Sequence, residues 1–204
     1  MLKIGITGGI GSGKSTVCNI LRNLGVPIFD SDAEGRRLLN EDKGLIARVI
    51  KFFGKDMYNA EGTLDRVRMA NLVFNDPKSL EKLMSIVHPK VNDSFDEWIL
   101  DYAIRPYVVK EAAILFESGN YHDLDKIIHV FAPKHERMKR VMARDNSRKE
   151  MVEKRMRFQY SDEERNRLAD FIILNEERSD LLPQVMELHE IFLNENQNEK
   201  TIFR

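Results

Sequence analysis

Within its first fifteen residues the chain reads Gly8-Gly9-Ile10-Gly11-Ser12-Gly13-Lys14-Ser15, which fills the pattern G-x-x-x-x-G-K-[ST]. Residues of these types at this spacing hold nucleotide phosphates. Glycines let backbone N–H groups turn inward, a lysine reaches the β and γ phosphates, and the hydroxyl that follows ligates Mg²⁺. The expected nucleotide contacts are Gly11, Ser12, Gly13, Lys14, Ser15 and Thr16, with Lys14 also catalytic and Ser15 on the metal. Four glycines in six residues (Gly8, Gly9, Gly11, Gly13), placed between a strand-like run and a helical one, set this match apart from a chance occurrence.

A second cluster follows in FDSDAEGRRL, residues 29 to 38. Phosphoryl transfer to a hydroxyl benefits from a carboxylate that orients the acceptor and takes its proton, and Asp30 and Asp32 are both candidates. Either could instead cap the helix expected to begin near Ala33, so the residues alone leave that choice open. A third cluster is the arginine-rich stretch 134–167. Arg140 and Arg144 are four apart, as are Arg155 and Gln159, so each pair shares one face if the stretch is helical. Such a face can clamp a polyphosphate and close over it, or it can be a solvated face with ion pairs to Glu136, Glu150 and Glu153. His88-Pro89, expected between two helices, and Glu111, in an otherwise apolar run, are weaker candidates. An ionised carboxylate in such a run is costly unless it is paired or near a metal.

The elements that must position these residues follow from periodicity. LKIGIT (2–7), VPIFD (26–30), YVVKEAAIL (107–115), KIIHVFA (126–132) and DFIIL (170–174) read as five short strands. Between them Val17, Ile20, Leu21 and Leu24 mark an amphipathic helix that Gly25 stops. Strands alternating with helices predict an α/β layer fold around a mostly parallel five-stranded sheet. More than seventy residues separate Asp32 from Tyr107, far beyond the dozen or so a crossover needs. That stretch is helical in pattern, with Asp76-Pro77 as cap and first turn, and reads as an insert that holds the second substrate. The expected division is a nucleotide-binding core (1–31, 105–133 and 168–204), an acceptor-binding insert (32–104) and a lid (134–167). The last helix is expected from about Ser179, with a polar tail fraying from Asn194.

Bulk properties narrow the class. The 204 residues are 42% hydrophobic and 32% charged, with a net charge of −1, which argues against a dedicated nucleic-acid binder. A lone cysteine, Cys18, permits no internal disulfide and is expected to be buried. No apolar run spans a bilayer, and the chain passes from Met1 directly into a strand, so the expected setting is cytoplasmic, with no membrane partner. Oligomeric state is not legible.

With these residues assembled, the sequence resembles the dephospho-CoA kinase family over nearly its whole length. The resemblance is carried by TGGIGSGKST (7–16), GVPIFDSDAEGRRL (25–38), GTLDR (62–66), VFNDP (73–77), VHP (87–89), the arginine-rich segment 142–165 and LADFIILN (168–175). It implies a three-layer P-loop kinase fold, ATP and Mg²⁺, and phosphorylation of the ribose 3′-hydroxyl of dephospho-CoA. It makes Asp32 the base, Arg36 and His88 acceptor-side residues, Arg140 and Arg144 phosphate contacts, and Asn175 part of an element near the adenine. One departure is KEAAILFE (110–117), where Ala113 stands for a usual proline. The alternatives are another small P-loop kinase, acting on a nucleoside monophosphate or sugar acid, and a GTP-binding switch. The chain has no N-K-x-D element for guanine.

Overall fold

The computed structural model describes residues 1–177 and 179–202, with 196–202 as helical backbone. All five expected strands form, and they make a single parallel sheet in the order β2-β3-β1-β4-β5. The strands are β1 (Leu2–Thr7), β2 (Ile28–Asp30), β3 (Tyr107–Glu111), β4 (Lys126–Phe131) and β5 (Phe171–Leu174). The third is shorter than the sequence suggests. Its neighbour β1 ends at Thr7, where the glycine-rich loop departs, so beyond Glu111 the pairing reduces to Ala112 N–H donating to the Ile6 carbonyl at 3.0 Å.

Because β1 lies between β3 and β4, the chain serves one side of the sheet first and the other afterwards. The reversal occurs beside the carboxyl end of β1, where ligands of open α/β sheets bind. Every residue of β3 is buried, as a central parallel strand covered on both faces requires. Helix α1 (Lys14–Asn23) lays Val17, Cys18 and Leu21 on the sheet with Ile4, Ile6, Val109, Ile128 and Val130. The last helix, α9 (Leu181–Ile202), adds Val185 and Phe192 to the same core and carries its helix on past Asn194. Residues 203–204, the end of the expected core segment, lie outside the described residues.

The chain divides into two compact units, one of residues 1–30 with 98–204 and the other of residues 31–97. The first carries the sheet and three further helices, α6 (Lys134–Asp145), α7 (Lys149–Arg157) and α8 (Asp162–Leu168). The second is helical: α2 (Ser31–Glu41), α3 (Lys43–Phe53), α4 (Arg66–Val73) and most of α5 (Pro77–Trp98). Side-chain caps start three of these helices. Asp42 accepts from Leu45 N–H at 2.7 Å, Asp65 from Arg68 N–H at 2.9 Å, and Asp76 from Ser79 N–H at 3.2 Å. The aspartates of GTLDR and VFNDP are thus helix starts. A bond from the Tyr58 hydroxyl to the Leu39 carbonyl (2.9 Å), and one from Leu64 N–H to Asn40 (2.9 Å), tie the 55–65 segment to α2.

One expectation is corrected here. His88-Pro89 does not separate two helices; both residues lie inside α5. Proline at 89 removes a single donor to the preceding turn. The helix continues through it because Ile86, Val91 and Phe95 on both sides are buried. No described helix is long and apolar enough to cross a membrane.

Candidate active site

The phosphate loop takes its shape from bonds to distant residues as well as from its own glycines. Gly13 caps α1 with φ 98°, a conformation that a β-carbon opposes. The Asn175 amide occupies the space a β-carbon there would need, and its Nδ2 donates to the Ser12 carbonyl at 2.7 Å. Asn175 is itself set by β5, its N–H donating to the Phe131 carbonyl at 2.8 Å. Lys14 is the first residue of α1 and is buried, with Nζ donating to the Gly8 carbonyl at 3.0 Å. Ser15 and Thr16 follow in the exposed first turn. Gly11, Ser12, Gly13, Lys14, Ser15, Thr16 and Asn175 are thus brought together.

Sequence reasoning missed the residue packed most closely on this loop. Arg137 of α6 lies over Gly9 so tightly that a β-carbon there would collide with its guanidinium. It is 5% exposed, with Nε donating to the Ala132 carbonyl at 2.8 Å and Nη2 to Asp162 at 2.6 Å. Asp162 opens α8, and the chain of buried charge continues through Arg165, 1% exposed, to Glu117 at 3.1 Å. His129 borders this network: Nδ1 meets Asn166 at 2.7 Å, and burial pushes its pKa down, with the guanidinium of Arg165 adding to the effect. One signal was legible. Ser161 and Glu164 form the S-x-x-E capping box that starts α8.

The two arginines of the 134–167 stretch singled out from sequence differ in setting. Arg140 donates to Glu136 (2.7 Å) and to the Asn175 carbonyl (3.1 Å), which joins it to the loop cluster. Arg144 is exposed and grips Asp145 through Nε (2.7 Å) and Nη2 (3.1 Å), and Arg155 reaches the same carboxylate at 2.9 Å. The Arg144 hydrogen bond, with Arg155 assisting, pulls the Asp145 carboxyl down to about 2. Gln159 falls beyond the end of α7 and so shares no helical face with Arg155, contrary to the expectation.

Asp32, Arg36 and His88 lie in the second unit. Helix α2 begins at Ser31, two residues earlier than expected, so Asp32 stands inside its first turn, where a carboxylate complements the helix dipole. Arg36, four residues on, shares its face and is exposed; His88 is half-buried on α5. A cavity of about 430 Å³ in this unit is lined by Arg37, Lys90 and the carboxylates Glu41, Asp42, Asp93 and Glu97, a poor match for a pyrophosphate.

At the carboxyl edge of the sheet, Asp30 and Glu111 are in register on β2 and β3, and Glu111 is opposite Ile6 of β1. Hard oxygen donors therefore stand at the ends of β2 and β3, the latter paired with the β1 end from which the phosphate loop departs. Among the described residues no cluster of three or more Asp, Glu, His or Cys side chains could cage a metal ion. That donor set fits Mg²⁺, which binds through one or two protein oxygens together with substrate phosphates.

Comparison with known proteins covers most of this architecture. The family model for dephospho-CoA kinase matches residues 2–180. A dephospho-CoA kinase of Bacteroides fragilis is 36% identical over 187 residues, covering 92% of this chain and 91% of the relative. Among solved structures, one from Thermus thermophilus is 36% identical with a TM-score of 0.78, covering 95% of this chain and 97% of that one. A dephospho-CoA kinase from Campylobacter jejuni is 28% identical with a TM-score of 0.69, covering 95% and 98%.

Proposed function

The chain belongs to the dephospho-CoA kinase family, and from that premise we propose how its residues divide the work of the reaction. The reaction is ATP-dependent phosphorylation of the ribose 3′-hydroxyl of dephospho-CoA, giving coenzyme A and ADP. The observation that carries this reading is the match of residues 2–180, which spans the phosphate loop, the helical unit and the arginine-rich segment together.

Asp32 takes the proton of the 3′-hydroxyl as its oxygen bonds to the γ-phosphorus and the bond to the β,γ-bridging oxygen breaks. Lys14 and the N–H groups of Gly11, Ser12 and Gly13 offset the charge that gathers on the phosphates. Their readiness is supported by the bonds that Asn175 and Lys14 make to the loop backbone. Arg140 and Arg144 add positive charge from the lid, residues 134–167. Arg36 and His88 hold the acceptor. Ser15 would hold Mg²⁺ through its hydroxyl, with Asp30 and Glu111, in register at the ends of β2 and β3, as further oxygen donors. The ion, when bound, neutralises the β- and γ-phosphate oxygens. A cytoplasmic setting belongs to the same reading, supported by the single cysteine, Cys18, which permits no internal disulfide.

A coupled ADP-release assay comparing dephospho-CoA with AMP, adenosine and gluconate tests the assignment. Dephospho-CoA is expected to be preferred; preference for AMP would overturn it.

A further inference from the structure

Gln159 sits just past α7, and its backbone N–H closes that helix on the Met156 carbonyl at 3.2 Å. Its half-buried side chain spans two other segments. Oε1 accepts from the Ile10 N–H of the phosphate loop at 2.8 Å, and Nε2 donates to the Ala113 carbonyl beyond β3 at 2.8 Å. The amide's orientation is fixed by its partners, since a backbone N–H only donates and a carbonyl only accepts. Of side chains this long, only glutamine supplies an acceptor and a donor from one planar group. A glutamate would lose the donor, and an apolar chain would lose both. The carbonyl at 113 is a backbone group, so alanine in place of the family's usual proline leaves the acceptor intact.

We propose that Gln159 is a positioning residue for phosphoryl transfer: its amide fastens the end of α7 to the tip of the phosphate loop and to the segment after β3. Ile10, four residues before Lys14, lies between Gly9, which Arg137 covers, and Gly11. A shift at Ile10 is therefore felt where the outer phosphate sits, and displacements of about 1 Å at such a point lower transfer rates by as much as ~10²-fold. The lid arginines act on the same phosphates, and Gln159 sets their register against the loop without touching substrate. This rests on reading residues 134–167 as the phosphate-side lid.

The test is Gln159→Met, which keeps length and removes both polar ends. It is expected to lower kcat for coenzyme A formation about 10-fold or more, with little change in the KM for dephospho-CoA. ADP released without transfer to the acceptor should rise as a share of turnover, because a loosened site admits water. Amide exchange at Ile10 should accelerate while the melting temperature stays near that of the parent. An unchanged kcat overturns the proposal. So does a loss of rate matched by lost folded protein at a constant ratio of ADP to coenzyme A. Arg144→Ala separates the two levels: if it is silent as well, the lid reading has failed, whereas an effect there with Gln159→Met silent removes only the role given to Gln159.

Discussion

The phosphate-binding region and the helical unit that follows it are built by different means. The loop of residues 8–14 is held by residues far away in sequence: Asn175 on Ser12, Gln159 on Ile10, Arg137 over Gly9. Each is part-buried or buried, and behind them runs the paired charge of Asp162, Arg165 and Glu117. The unit of residues 31–97 is held by shorter-range devices, with Asp42, Asp65 and Asp76 capping their own helices and bonds at Leu39 and Asn40, 19 and 24 residues from their partners, tying the 55–65 segment to α2. The proposed chemistry differs in the same way. Lys14 is buried and bonded, whereas Asp32 and Arg36 are exposed side chains on one face of α2. A region that must present N–H groups to a highly charged ligand is rigid before it arrives. A region that presents a few side chains to an acceptor needs only a stable helix to carry them.

The largest effect that would sharpen this contrast is expected from Lys14→Ala. It removes both the charge on the phosphates and the bond to the Gly8 carbonyl. Turnover in the ADP-release assay should fall at least about 10²- to 10³-fold, the scale for a lost preorganised donor. Near-normal activity would break the phosphate-loop reading. Asp32→Asn comes next and acts on the other region. Here kcat should fall by about 10²-fold or more, with melting temperature and dephospho-CoA KM nearly unchanged, since an exposed first-turn residue carries little stability. Calorimetric titration with dephospho-CoA checks that the acceptor still binds. An unchanged kcat would leave Asp32 as a helix-start residue.

Arg165→Met asks whether the rigidity of the phosphate side rests on buried charge. It removes the cationic partner of the Glu117 carboxylate, whose side chain is 7% exposed and keeps the Tyr160 N–H at 2.6 Å, and one of two guanidinium partners of Asp162. Leaving a buried charge unpaired costs about 3–5 kcal/mol, a fall of roughly 10 °C in melting temperature for a chain of this size. Adding Glu117→Leu should restore part of it, because the second change removes the stranded charge. If Arg165→Met melts like the parent, the buried network adds nothing to stability and the contrast between regions is weaker than drawn.

How much of this was readable in sequence follows the same division. Five strands, the loop and α1 were legible because their signals are local: short apolar runs, glycines and a helical repeat. The pairing of Arg137 with Asp162, 25 residues on, leaves no such trace, and neither does a glutamine 149 residues from the backbone N–H it accepts. In the helical unit the reverse error occurred. Pro89 was read as a break between helices, but burial on both sides of it outweighs the loss of one backbone bond. The start of α2 was placed two residues late, which left the choice between Asp30 and Asp32 open; with the helix beginning at Ser31, Asp32 falls inside the first turn.

Two smaller effects probe the edges of the comparison. His129 is fully buried on β4 beside Asn166, and burial holds its pKa below the usual histidine value. Below about pH 6.5 the unfolded chain binds a proton that folded His129 resists, so stability should fall as pH is lowered from 7 toward 5. Denaturant midpoints across that range should slope less steeply in His129→Phe; an identical slope would remove His129 from the pH response.

The mildest change belongs to the helical unit. Ser31 stands where the family usually has alanine, and its hydroxyl is buried with no hydrogen-bond partner among the described residues. Water is given up there for nothing in return, so Ser31→Ala should raise stability by up to about 1 kcal/mol, or about 2–4 °C, with kcat and KM unchanged. A drop in stability would mean that the hydroxyl is satisfied after all. A rise in the dephospho-CoA KM alone would mean that the acceptor satisfies it, placing a specific polar contact at the first residue of α2, one position before Asp32.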